Sequence, residues 1–121
     1  MPVRSGLEAM LKRSVLLALG LTASHVALAN FLDGNELRAR CESKRADQVN
    51  TCLGFLTGVS DAEAAAPSWK RQKSLFCVPR GVSSSQLRRI VMDYFTAHPE
   101  EEDLNAAIVV GNAFLEQFPC D

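Results

Sequence analysis

The sequence predicts an all-α fold: a small up-down four-helix domain with two disulfides, set behind a cleaved signal peptide. Three observations carry this. No segment sustains apolar–polar alternation, whereas apolar residues recur at three- and four-residue spacing between helix-starting and helix-stopping punctuation. All four cysteines fall after the N-terminal apolar run. The chain, at 121 residues, is long enough for one domain.

The N-terminal segment is set apart from the fold. Lys12 and Arg13 precede the apolar run Ser14 to Ala23, and Ala27 and Ala29 place small residues where a signal peptidase cuts. The run falls well short of the roughly 20 residues that a membrane span requires. The expectation is therefore a signal peptide over residues 1–29, with Met10 as the start of translation, and an exported mature domain over 30–121 without membrane insertion. Export would remove Arg4, Lys12, Arg13 and Glu8, leaving a domain more acidic than the formal charge of −1 of the whole chain. Nucleic-acid binding calls for a basic surface and is not expected.

Helix one opens at "LDGNELRARC", where Asp33 caps and Glu36 answers three residues on. Helix two follows the spacing of Val49, Cys52, Leu53, Leu56 and Val59 and ends near Pro67. Its Gly54 and Gly58 share a face, and their cost in a helix suggests a site of close helix packing. Helix three begins at the Ser83–Gln86 capping box and carries the stripe Leu87, Ile90, Val91, Tyr94 and Phe95. His98–Pro99 ends it. Pro99 then serves as a first-turn residue of helix four, with Glu100 to Asp103 around the helix's positive end. From Leu104 to Phe118 the last helix is apolar nearly all round, which predicts a central position.

Cys41, Cys52, Cys77 and Cys120 form no C-x-x-C pair, and the one histidine after the signal segment, His98, stands apart from them. In an exported chain this reads as two disulfides rather than a metal site. Short connections imply antiparallel neighbours. An up-down order sets Cys41 beside Cys52 at one end and Cys77 beside Cys120 at the other, one of three pairings that four cysteines allow.

No constellation for catalysis emerges. The cysteines are better explained as bonded, and there is no G-x-S-x-G, phosphate-binding loop, dinucleotide fingerprint or H-E-x-x-H. Asp61 and Glu63 point apart on a helix, and Tyr94 reads as core with its hydroxyl at the edge. No enzymatic activity, catalytic residue, metal or cofactor is expected. The segment "PSWKRQKS" is different, because it sets the only tryptophan, Trp69, among Lys70, Arg71 and Lys73. Trp69 either packs on the core beside a solvated basic face, or the four residues form a partner-binding loop, since Trp and Arg are enriched at interface hot spots.

Taken in order, "FLDGNELRARC", "CLGFLTGVSDA", "FCVPRGVSSSQLRRIV", "YFTAHPEEEDLNAA" and "FLEQFPC" resemble the Tai/Rap-type immunity proteins over nearly the whole mature region. The resemblance implies a helical, disulfide-bonded periplasmic antidote that binds and inhibits a peptidoglycan amidase effector of type VI secretion, in some cases as a homodimer. A second reading is a small helical periplasmic chaperone of the acid-resistance type, exposing apolar surface to unfolded clients.

Overall fold

The computed structural model describes residues 29–69 and 73–121. Residues 1–28 of the expected signal segment, and Lys70, Arg71 and Gln72, lie outside the described residues. Among the described residues the fold is all-α, with four α-helices: α1 (Gly34–Glu42), α2 (Ala46–Ala65), α3 (Ser84–Ala97) and α4 (Ala106–Gln117). Among the described residues the only β pairings are two isolated bridges, and no helix is long and apolar enough to cross a membrane.

Both capping boxes form. The Asp33 carboxylate accepts from the Glu36 N–H at 2.8 Å, and Glu36 accepts from Asp33 N–H at 3.0 Å. Ser83 and Gln86 do the same at the start of α3. These reciprocal bonds satisfy N–H groups that a helix start otherwise leaves without partners. At the other end of α1, Arg88 of α3 donates its Nε–H to the Cys41 carbonyl at 2.8 Å, a cation placed on C-terminal carbonyls. Helix α2 stops at Ala65 and tightens into a 3₁₀ turn, Ala66–Trp69, that contains Pro67.

Each helix packs on the other three. Leu37, Leu56, Val91, Phe95, Val109 and Phe114 are fully buried at the centre, and the stripe predicted for α3 faces inward through Leu87, Val91 and Phe95. The cysteines pair as expected, Cys41 with Cys52 and Cys77 with Cys120, with Cα atoms 5.1 Å apart in each pair. The second bond closes a sequence separation of 43 residues.

One expectation about glycine and one about proline are corrected. Gly54 and Gly58 are exposed, and a Cβ at either would meet nothing within 4 Å, so no helix packs against them. The close approach is at Gly34, where a Cβ would lie 2.5 Å from the backbone oxygen of Glu102. There the starts of α1 and α4 are sewn together: Gly34 N–H donates to Leu104, Asn35 N–H to Glu102 and Ala106 N–H to Leu32, all at 2.9 to 3.0 Å. Pro99 does not begin the last helix. It opens a separate 3₁₀ turn, Pro99–Glu101, and α4 begins after Asn105, whose side chain accepts from Ala107 N–H at 2.8 Å. The acidic run serves the junction instead, with Asp103 accepting from the Asn35 amide and Glu102 from Arg38.

Candidate protein-docking groove

Helix α4 is apolar on more faces than the core can use. Ala106, Val109, Val110, Ala113 and Phe114 face inward and are buried. Leu104, Ile108 and Leu115 stay 41%, 51% and 47% exposed, so the expectation of a helix central on all sides is corrected. A three-helix remainder covers only part of its circumference. Ile108, Gly111 and Leu115 then line up along one face at helical spacing, as residues three and four apart do.

The opposite wall comes from the end of α2 and the segment after it. Val59, Ala62 and Glu63 of α2, with Trp69, Leu75 and Phe76, line a groove of about 440 Å³ together with α4 residues that include Ile108, Gly111 and Leu115. Trp69 is 60% exposed and Leu75 is 67% exposed. The reading of Trp69 as core is therefore corrected: its ring forms a groove wall.

Residues 74–77 are held firmly enough to define that wall. The Leu75 N–H donates to the Glu63 carboxylate, and the Ser74 hydroxyl donates to the Glu63 carbonyl at 3.2 Å. Cys77 N–H donates to the Phe118 carbonyl at 2.8 Å, Phe76 pairs with Pro119, and the Cys77–Cys120 bond crosses beside them. Buried Phe76 meets Phe114 edge-on at a centroid distance of 5.4 Å. Lys73, just ahead of these anchors, is exposed. Of the four predicted partner-binding residues, Trp69 lines the groove, Lys73 precedes its wall in the chain, and Lys70 and Arg71 lie outside the described residues.

Behind the groove, the Glu101 carboxylate joins two helices. It accepts from the Tyr94 hydroxyl of α3 at 3.1 Å and from the Asn112 amide of α4 at 3.0 Å. Burial, and then the bond to Glu101, push the Tyr94 phenol up to about 12. Tyr94 also stacks on His98 at 4.2 Å, and His98 Nδ1 lies 3.1 Å from a Glu100 oxygen. The backbone N–H and His98 hold the Glu100 carboxyl below the usual carboxylate range. His98, Glu100 and Glu101 thus offer ligand atoms within 4.8 Å of one another, a proximity that their separation from the cysteines did not suggest. These groups are engaged with each other and with Tyr94 and Asn112 in hydrogen bonds.

Sequence reasoning singled out Trp69 but missed Leu75, Ile108, Leu115 and Gly111. Leu75 gave no periodic signal. The α4 residues gave one, its surplus of apolar faces, which reads equally as a central helix until the number of neighbours is known.

Four mutually packed helices, two disulfides and an open, largely apolar groove define a small stapled domain. A family model described as Rap1a immunity proteins matches residues 33–120, and the chain belongs to that family. Membership carries an immunity role, exercised on a cognate effector protein. Comparison with curated proteins and with solved structures gives no match.

Proposed function

We propose that the protein is a periplasmic immunity protein that binds and inhibits a peptidoglycan amidase effector of type VI secretion, and that the groove between α4 and the Trp69–Leu75 segment takes part in the contact. The observation that carries this is the groove itself: four large apolar side chains stand exposed around it on a domain whose family acts by binding. Contiguous exposed apolar surface on a small domain marks an interaction site. Trp69 supplies a rigid aromatic anchor, and Lys70, Arg71 and Lys73 supply cations that favour a carboxylate-bearing partner.

The test uses a purified peptidoglycan amidase effector of type VI secretion. Digestion of purified peptidoglycan is measured with and without the full, oxidised chain. Inhibition by the parent, with loss of about thirtyfold in affinity for Trp69→Ala at an unchanged melting temperature, is the expected result, the ~2 kcal/mol of a hot spot. If Trp69→Ala inhibits as the parent does, the contact lies on another face. If the parent leaves digestion untouched, the amidase is not its target.

A further inference from the structure

We propose that the Cys77–Cys120 bond is a site of reversible thiol–disulfide exchange with an external dithiol, and that its opening releases residues 74–77 while the four-helix core stays closed. The proposal concerns the chain itself and does not rest on the identity of its target. The two disulfides differ first in access. Cys41 and Cys52 are fully buried and belong to the hydrophobic core. Cys77 is exposed and Cys120 half-buried, and both stand outside the helices. An attacking thiolate has to reach a disulfide sulfur, so access decides which bond exchanges.

The bonds differ also in what they hold. Cys41–Cys52 joins α1 to α2, which pack on each other and on the two remaining helices. Cys77–Cys120 joins two non-helical segments. Within the buried core cluster, Phe76 alone comes from outside the four helices. Opening the outer bond therefore leaves the interior of the bundle as it is. Residues 74–77 are then tied by Phe76, by the bonds of Ser74 and Leu75 to Glu63, and by Cys77 N–H to the Phe118 carbonyl. A segment with few buried contacts opens locally before the fold does. Leu75 and Phe76 line the groove, so the exchange acts on the groove's outline.

In the reductive direction, one thiolate of the dithiol attacks Cys77 Sγ. The Cys77–Cys120 bond breaks, and its electron pair leaves on Cys120 Sγ, which takes a proton. The second thiol of the reagent then attacks its own sulfur bound to Cys77, closing the reagent's disulfide, and the freed Cys77 thiolate takes up the proton released. Two electrons pass to the protein, two protein thiols form, and the dithiol is oxidised. Cys120 Sγ lies 3.6 Å from the Ser74 carbonyl, a weak acceptor for the new S–H. That contact keeps the thiol near Cys77, from which the bond re-forms in the oxidative direction.

The oxidised full chain is treated with dithiothreitol under native conditions, trapped at intervals with N-ethylmaleimide and mapped by mass spectrometry. Alkylation at Cys77 and Cys120 is expected at least about tenfold faster than at Cys41 and Cys52. In the species reduced at 77 and 120 alone, amide hydrogen exchange at Leu75 and Cys77 rises at least about tenfold, with Leu56, Val91 and Val110 unchanged. Oxidised glutathione restores the bond and the protection. Reduction of both disulfides at one rate, or of Cys41–Cys52 first, overturns the proposal, because sulfur would then be reached only through unfolding. Unchanged exchange at Leu75 and Cys77, lost protection at Leu56, Val91 and Val110, or failure of the bond to re-form overturns it equally.

Discussion

Tyr94 is the chain's only tyrosine, so its ionisation is directly visible as tyrosinate absorbance. In the folded protein its hydroxyl donates to Glu101 from a partly buried position, and both effects favour the neutral phenol. The folded value is raised from 10.0 to about 12. The stabilisation this represents is complete below pH 10 and is lost as pH rises through about 12, since the unfolded chain releases the proton first. Titration should show a midpoint near 12 for the native protein and near 10 in denaturant. A native midpoint at 10 would mean that the Tyr94–Glu101 bond does not form in solution. That Tyr94 is an inward-facing residue with its hydroxyl at the edge was legible from the helical stripe. Its partner was not, because Glu101 reaches it only after the chain turns at His98–Pro99.

At the scale of elements, the junction between the starts of α1 and α4 depends on one position. A methyl group at Gly34 would collide with the Glu102 backbone, which cannot swing aside as a flexible side chain could. Gly34→Ala should cost about 2 kcal/mol or more, a fall of roughly 10 °C in melting temperature. Chemical denaturation checks the magnitude, and an Ala variant as stable as the parent would contradict the tight approach. The helices themselves were readable, since caps and apolar spacing are local: Asp33–Glu36 and Ser83–Gln86 sit where their spacing puts them. The role of individual glycines was not readable. A helix glycine looks the same in sequence whether it meets another backbone, as near the start of α1, or open space, as at Gly54 and Gly58. The groove was half legible for a related reason. Trp69 stands out by composition, but whether the apolar faces of α4 are covered depends on how many helices surround it.

For the whole molecule, the two disulfides divide the work unequally. Cys41–Cys52 closes a separation of 11 residues, while Cys77–Cys120 closes 43. Chain-entropy arguments assign the longer loop roughly 4 kcal/mol and the shorter one nearer 3, although strain and residual structure alter such values. Serine at both 77 and 120 should lower the melting temperature more than serine at both 41 and 52. It should also release the Leu75 wall of the groove and weaken effector binding measured below the melting point. Equal melting of the two double variants would show that the 41–52 bond matters for packing beyond loop closure, consistent with both of its sulfur-bearing residues being fully buried. The pairing was accessible from the cysteine positions and the helix order, because each cysteine stands near the end of an element.

The stitching at the start of α1 and the bond at Cys120 have a joint consequence for the protein's lifetime. The domain is fastened to itself close to residue 33 and again at residue 120, by backbone bonds to α4 at one end and by a covalent bond to Cys77 at the other. A protease that works by gripping a frayed terminus and pulling must first break one of these fastenings, and the second does not yield to pulling.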